Sequence, residues 1–149
     1  MRKLWTFILV LVFISICFMK PNTNINLFES ATVQYFLSNK VSLDLEDIKI
    51  TDNGQGCIVE CSSNLESVVE EKLSSYSGKT YIVEGSEEDI EEITKKFNIK
   101  IESYQSGNLL GFSEKFDKNT LVGGKLVNIQ IAYRENKIYV GLPLLLGSY

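Results

Sequence analysis

The chain has 149 residues with 15 basic and 19 acidic side chains, a formal net charge of −4 at pH 7, and no histidine. The lack of histidine excludes Ser-His and Cys-His catalytic sites and removes a main zinc ligand. The acidic balance disfavours a polyanionic partner, because binding to phosphates depends mainly on Lys and Arg.

The first twenty residues have the pattern of a secretory signal. The charged start Met1-Arg2-Lys3 is followed by an uncharged apolar run, Leu4 to Met19, and then by Lys20 and Pro21. As a helix this run spans ~24 Å, which is shorter than the ~30 Å hydrocarbon core of a bilayer. We therefore expect export, with residues 1–20 acting as a signal peptide or a signal anchor.

The fate of this segment is open between three alternatives. Ser15-Ile16-Cys17 is a small-x-small triplet that a signal peptidase can cleave, although it is not an A-x-A site. An uncleaved anchor that contacts the membrane through residues 4–19 ranks equally. Lipidation at Cys17 ranks behind both, because Ile16 stands where bacterial lipoboxes carry a small residue. In each case the following residues lie outside the cytoplasm.

Residues 21–26 predict a polar spacer, and residues 27–149 are long enough for a single domain. The exported part from residue 21 onward carries 12 basic against 19 acidic residues, a formal charge of −7. The predicted domain is therefore acidic.

The first elements predicted are a helix and a hairpin. Apolar residues from Leu27 to Leu37 recur at roughly helical spacing, so we expect a helix there. The next stretch begins as a loop and ends as a strand near Ile50, and Asn53-Gly54 is typical of a tight turn. The return strand is predicted from Cys57 to Cys61.

Cys57 and Cys61 are expected to be buried side by side without a bond between them. In a strand, four residues separate their Cα atoms by ~13 Å, whereas a disulfide spans ~4.4 to 6.8 Å. The even spacing places both on one face of the strand. An intermolecular disulfide is a weaker alternative. Two cysteines are half of the usual zinc ligand set, so no metal is expected.

Two further helices are predicted, each preceded by a strand. Ser63 and Glu66 have the spacing of a capping box for the first helix, which should end near Ser77-Gly78. A strand follows from Lys79 to Glu84, and Ser86 with Asp89 predicts the start of the second helix. The apolar residues expected to face the core are Leu65, Val68, Val69, Leu73, Ile90, Ile93 and Phe97.

Strands dominate the rest of the chain. Ile99 and Ile101 should point toward the helices, Ser106-Gly107-Asn108 should turn the chain, and the next strand runs from Leu109 to Phe112. No helix intervenes between these strands. We therefore expect an α+β fold with a curved antiparallel sheet and helices packed on one face.

The hairpin from Val127 to Leu144 is predicted to be the centre of stability. With Glu135-Asn136 as a two-residue turn, every inward pair in the hairpin is apolar, which specifies the register. The predicted pairs are Tyr133 with Ile138, Ile131 with Val140, Ile129 with Leu142, and Val127 with Leu144.

The segments VNIQIAYR and IYVGLPLLLGSY resemble the C-terminal end of the YwmB family of exported proteins from spore-forming Gram-positive bacteria. The positions that carry the resemblance are Asn128, Gln130, Ala132, Arg134, Gly141, Pro143 and Tyr149. Upstream, IESYQSGNLLGFSEKF resembles the family's Ser-rich turn and Asn-Leu strand, so the similarity covers about Lys79 to Tyr149. The chain departs from the family in being shorter in its helical region and in lacking an obvious cleavage site.

The resemblance implies a TATA-box-binding-protein-like fold, which is a curved antiparallel sheet with helices on its convex side. No biochemical activity is assigned to that family, and similarity in fold alone does not support DNA binding.

No motif indicates catalysis. The acidic run from Glu87 to Glu92 lies on the solvent face of a capped helix and lacks the alternating Asp/Asn and central Gly of a calcium loop. We expect no catalytic residue, no metal and no cofactor. The candidate binding face is the polar side of the sheet, away from the helices, and a merely solvated face is an equal alternative. Its residues are Lys100, Glu102, Tyr104, Asn128, Gln130, Arg134 and Tyr139.

The sequence therefore predicts an exported, non-enzymatic accessory or interaction protein of the cell envelope, with a role in sporulation implied by the resemblance. Its partner would be an unknown protein or another envelope component. The alternative is a carboxylate-dependent cell-envelope hydrolase, which two carboxyl groups ~5 to 9.5 Å apart in a cleft would favour. Nucleic-acid binding through the sheet ranks last, because the candidate face carries two cations and a glutamate.

Overall fold

The structure is a computed structural model that describes residues 29–146. The predicted signal or anchor segment, residues 1–20, and the spacer, residues 21–26, lie outside the described residues. So does Tyr149, one of the positions that carry the family resemblance. Residues 29–146 contain no helix that is both long and apolar enough to cross a bilayer.

The described part of the chain folds into ten β-strands and two α-helices. The strands are β1 (Thr32–Leu37), β2 (Lys49–Asp52), β3 (Cys57–Ser62), β4 (Gly78–Glu84), β5 (Lys100–Gln105), β6 (Asn108–Phe112), β7 (Thr120–Val122), β8 (Lys125–Val127), β9 (Ile129–Arg134) and β10 (Lys137–Leu142). The helices are α1 (Glu66–Lys72), which follows a 3-10 turn at Ser63–Leu65, and α2 (Asp89–Lys96).

Eight of the strands described in residues 29–146 form one antiparallel sheet in the order β2-β3-β1-β4-β10-β9-β6-β5, and β7 with β8 forms a small separate hairpin. Both helices cover the same face of the large sheet. Residues paired across neighbouring strands point to the same face of a sheet. Tyr81 lies beneath α1 and Leu109 lies beneath α2, and the register connects them through Val140 and Ile131. The predicted α+β class and the antiparallel sheet are confirmed.

The core lies between this helix face and the two helices. The residues at its centre are fully buried and alternate along the strands with residues of the opposite face, as the period of two requires. They include Val33, Val59, Tyr81, Ile131, Ile138 and Val140, together with Val69 from α1 and Ile90 and Phe97 at α2. Cys57 and Cys61 are buried on this face and are free thiols, as expected.

The helix predicted from Leu27 to Leu37 is wrong where the structure describes it. Residues Thr32–Leu37 form the strand β1, which pairs with β3 on one side and β4 on the other. Val33 and Tyr35 are fully buried, and the outward Phe36 is also buried at 8% exposure. A central strand buried on both faces has no clean alternation, so its apolar residues also fitted a helical spacing.

The predicted cap of the first helix is also wrong. The Ser63 hydroxyl donates to the Glu29 carbonyl, and the helix α1 begins only at Glu66. Glu66 turns toward the sheet instead of completing a capping box, and α1 ends at Lys72, before the predicted stop. The second predicted cap forms only in part. The Ser86 backbone N–H donates to Asp89 Oδ2 at 2.7 Å, but α2 begins at Asp89, after Glu88, and has no side-chain cap hydrogen bond.

The turn of the C-terminal hairpin is confirmed. Glu135 and Asn136 have φ values of 52° and 60°, and the predicted pairs of Tyr133 with Ile138 and Ile131 with Val140 are present. The register between β9 and β10 ends at Gln130 with Gly141, so it does not include the predicted pairs of Ile129 with Leu142 and Val127 with Leu144. Val127 instead pairs with Thr120 in the β7–β8 hairpin.

Candidate binding surfaces

The outer face is the sheet surface opposite the helices. In the structure, the residues predicted for this face lie in separate places. Gln130 and Tyr139 lie in its middle, with Arg134 at the hairpin end of β9. Lys100 and Glu102 lie on the edge strand β5 at the opposite end. From the level of Lys100 to Arg134 the sheet extends about 20 Å along the strands, at ~3.3 Å per residue. These residues therefore do not form one compact site.

Asn128 is not part of an exposed surface. It is fully buried, its Oδ1 accepts the Ser113 N–H at 2.8 Å, and its Nδ2 donates to the Ser113 and Phe116 carbonyls. The side chain thus holds the loop after β6 against the start of β9. The expectation that Asn128 faces solvent is wrong because neighbouring backbone amides and carbonyls use all of its polar groups.

Tyr104 lies on the helix face, contrary to the prediction. The register between β5 and β6 shifts between Ile101 and Ser103, so Tyr104 pairs with the buried Leu109. A bulge of one residue reverses the alternation that follows it. Ile101 and Tyr104 therefore point to the same side of the sheet although they are three residues apart.

Glu102, at the bulge, forms ion pairs with Lys100 at 3.2 Å and Lys125 at 3.3 Å. Both cations lower the pKa of the Glu102 carboxyl through hydrogen bonds. The edge-strand part of the predicted face is thus a charge-paired cluster.

The segment after β10 folds back over the outer face. The Leu145 N–H donates to Gln130 Oε1 at 3.2 Å. A Cβ at Gly141 would lie 2.3 Å from the Leu145 nitrogen, and a Cβ at Gly78 would lie 2.8 Å from Leu146 Cδ1. The tail, residues 143–146, therefore packs directly on glycines of the sheet, so the outer face is not an open groove.

A polar cluster lies between α1 and the sheet. Lys79 Nζ is 2.7 Å from Glu66 Oε1 and 2.8 Å from Glu70 Oε1, and the Lys79 side chain is only 15% exposed. Three tyrosine hydroxyls donate to these carboxylates. They are Tyr81 to Glu66, Tyr76 to Glu70 at 3.1 Å, and Tyr35 to Glu70 at 3.4 Å.

The protonation of this cluster follows from its burial. Burial raises the pKa of Tyr76 to about 12 and also raises the pKa values of Tyr35 and Tyr81, with the charge of Glu66 adding to each shift. Burial opposes the charge on Lys79, but the neighbouring carboxylates of Glu66 and Glu70 outweigh it and raise the Lys79 pKa. At neutral pH the tyrosines are therefore donors and Lys79 is a cation.

Sequence reasoning missed this cluster, although a signal was present. Glu66 and Glu70 occupy positions of the same helical stripe as Val69 and Leu73, which face the core. Two acidic residues on a buried stripe require a cation opposite them, and Lys79 begins the strand that follows. The pattern alone did not show which lysine would meet them.

A cleft of about 360 Å³ lies between α2 and the edge strand β5, and we refer to it as the α2–β5 cleft. Its lining consists of Glu87, Glu88, Ile90, Glu91, Thr94, Ile101, Tyr104 and Leu109. A second cavity, of about 280 Å³, lies between residues 37–41 and 74–77, and four of its nine lining residues are serines. Among residues 29–146, no group of three or more Cys, Asp or Glu is placed to hold a metal ion.

No protein-family model, curated protein or solved structure matches the chain.

Proposed function

We propose that the protein is an exported, non-enzymatic accessory or interaction protein of the cell envelope. The observation that carries this proposal is the exposure of large apolar side chains beside a cleft at the edge of the sheet. Ile101 is 50% exposed and Tyr104 is 47% exposed, although both point toward the helix side. Apolar side chains grouped at a concave surface are typical of protein-binding sites.

The placement of the carboxylates supports the same proposal over the envelope hydrolase. Glu66 and Glu70 come together, but both bind Lys79 beneath α1, with side chains 10% and 22% exposed. A hydrolase of the carboxylate type needs two carboxyl groups that face a substrate in a cleft. The pair instead stabilises the contact between the helix and the sheet. Three glutamates do line the α2–β5 cleft, but Glu87 accepts the Tyr104 hydroxyl and Glu91 pairs with Lys95.

Nucleic-acid binding through the outer face remains the least supported of the three functions. The tail covers the sheet near Gly141, and Asn128 is buried. Lys100 and Lys125 both pair with Glu102, so their charge is partly compensated. A face that binds phosphates needs several cations along an open surface.

We also propose a specific type of fold and a family for this chain. An antiparallel sheet of eight strands with helices on one face supports the TATA-box-binding-protein-like arrangement that the resemblance to the YwmB family implies. We propose a single YwmB-like domain from residue 27 to 149, and the role in sporulation comes from the same resemblance.

Fractionation of cells that express the chain with a C-terminal tag tests the compartment. We expect the tagged product in the membrane or the medium, and an N-terminal sequence of that product distinguishes anchor from cleaved peptide. A product found only in the cytosol would contradict the proposal.

A further inference from the structure

The α2–β5 cleft combines an apolar floor with an acidic rim. Leu109 and Ile90 form buried parts of its lining at 1% and 3% exposure, and Ile101 and Tyr104 stand half-exposed at its sides. A volume of about 360 Å³ lies within the range of cavities that bind small molecules or a few side chains. The cleft therefore has room for apolar side chains of a partner.

The bulge in β5 creates the apolar side of this cleft. In a regular strand, residues three apart point to opposite faces, so Ile101 and Tyr104 would be separated by the sheet. The register shift between Ile101 and Ser103 places both beside α2. β-Bulges commonly re-aim side chains at functional positions.

The rim has one sign of charge. Among the described residues, the lining includes Glu87, Glu88 and Glu91 and no Lys or Arg. Glu87 accepts the Tyr104 hydroxyl at 2.5 Å, and Glu91 pairs with Lys95, a residue outside the lining, at 2.7 Å. A complementary partner must bring positive charge together with apolar side chains.

The edge of β5 is protected against pairing with a further strand. Lys125 Nζ donates to the Glu102 carbonyl of the edge strand at 3.0 Å, and the bulge at the same place distorts the edge. Both are features that prevent another strand from pairing with a sheet edge.

From these observations we infer that the α2–β5 cleft binds a segment of a partner protein in which Lys or Arg alternate with aliphatic or aromatic residues. The inference rests on the proposed interaction function, because it names the class of partner. Anionic lipid surfaces are disfavoured by the acidic rim, and neutral apolar ligands would make no use of its charge.

The test uses the full-length chain in nanodiscs of zwitterionic lipid and a short fluorescent peptide of alternating Lys and Leu. We expect saturable binding by fluorescence anisotropy, which weakens at high salt. Peptides of alternating Lys and Ser, or Glu and Leu, should bind at least tenfold more weakly. Equal binding of all three peptides would overturn the inference.

Variants locate the binding site. Ile101→Lys should weaken binding of the Lys-Leu peptide at least tenfold, whereas Leu121→Lys should change it less than twofold. Leu121 is 70% exposed on the β7–β8 hairpin, so it is a matched control for an added surface charge.

A second pair of variants tests the charge of the rim. The double variant Glu88→Gln and Glu91→Gln should weaken binding similarly. The control Glu46→Gln with Glu114→Gln removes the same charge elsewhere and should not. Equal effects of test and control variants would overturn the inference.

Carbodiimide cross-linking provides a direct readout, because it joins peptide amines to nearby carboxylates. We expect links to Glu87, Glu88 or Glu91, and links mapped only to other carboxylates would contradict the site. Self-association of the chain that Ile101→Lys abolishes would identify a second copy as the occupant and overturn the inference. A cytosolic chain that still binds the peptide in the cleft would contradict only the proposed export.

Discussion

Lys79 is the residue on which the contact between α1 and the sheet depends. It joins Glu66 and Glu70, which are four residues apart on the helix and would otherwise repel each other. Within residues 29–146 every buried side-chain nitrogen and oxygen has a hydrogen-bond partner. Removing one member of the cluster leaves the others buried without compensation, which costs more than the pair itself contributes.

Lys79→Met should lower the free energy of unfolding by about 3 to 5 kcal/mol, because it leaves two carboxylates in the interior without their cation. Urea unfolding measures the loss. Lys40→Met is the matched control, since Lys40 pairs with Asp52 through side chains that are 76% and 49% exposed. That control should lose much less stability, because solvent screens an exposed ion pair. Equal losses in the two variants would mean that the cluster does not stabilise the fold.

The thiol of Cys61 should make the free energy of unfolding decrease at alkaline pH. Burial, followed by the charges of Glu66 and Glu60, raises the pKa of Cys61 from 9.0 to about 11. The folded state therefore holds the proton more tightly than the unfolded chain, so this contribution is complete below pH 9 and is lost as the pH rises to 11. Its size is about 1 to 3 kcal/mol, at ~1.4 kcal/mol per unit.

Urea unfolding between pH 8 and 11 measures this dependence. We expect stability to fall across pH 9 to 11, with a further fall above pH 10 from buried tyrosines such as Tyr76. Cys61→Ala should flatten the part between pH 9 and 11, and Cys57→Ala, which retains Cys61, should keep it. The same slope in both variants would assign the alkaline loss to other groups.

At the scale of elements, the β9–β10 hairpin lies in the middle of the sheet and carries the core on one side and the tail on the other. Ile131 is fully buried on the helix face, and Gln130 binds the tail on the outer face. The two faces of one strand thus have different neighbours, and substitutions separate their contributions.

Ile131→Ala should cost about 2 to 5 kcal/mol through lost burial and a residual cavity. Gln130→Ala should cost about 1 kcal/mol, because it removes hydrogen bonds to Asn108 and Leu145 at a half-buried site. Arg134→Ala, at an exposed position, should stay below about 1 kcal/mol. Thermal unfolding of the three variants measures the order of these losses in stability. A loss at Arg134 equal to that at Ile131 would contradict the assigned faces.

The tail is held by close backbone contact over Gly141. In Gly141→Ala the new Cβ would lie 2.3 Å from the Leu145 nitrogen, so residues 143–146 must move away from the sheet. We expect the Leu145 amide, which donates to Gln130, to exchange its hydrogen at least tenfold faster, while Ile131 keeps its protection. Gln130→Ala should accelerate the same amide. Unchanged exchange at Leu145 in both variants would show that other contacts hold the tail.

At the scale of the whole molecule, one sheet separates two different surfaces. The helix face contains the core and the polar cluster, and it reaches solvent at the α2–β5 cleft. The outer face carries the tail and the paired charges around Glu102. Two of the exposed large side chains, Ile101 and Tyr104, stand at the cleft, which places the proposed interaction at the sheet edge and not at its centre.

The sequence by itself determined the elements whose signals are local. Asn136 tolerates a positive φ, so the turn of the C-terminal hairpin and two of its predicted pairs followed from the sequence. Ser86 and Asp89 predicted the contact at the start of α2, because both partners lie within one helical turn. The Gly123-Gly124 turn of the β7–β8 hairpin, with φ values of 57° and 80°, has the same kind of local signal in its two glycines.

Only the tertiary structure decided the features that depend on partners distant in the chain. The strand β1 was mistaken for a helix because pairing on both sides, and not local preference, defines a central strand. One bulge moved Tyr104 to the other face, and alternation in the sequence cannot show an inserted residue. The tail over Gly141 and the meeting of Lys79 with Glu66 are long-range contacts, so their chemistry emerged only when the sheet brought them together.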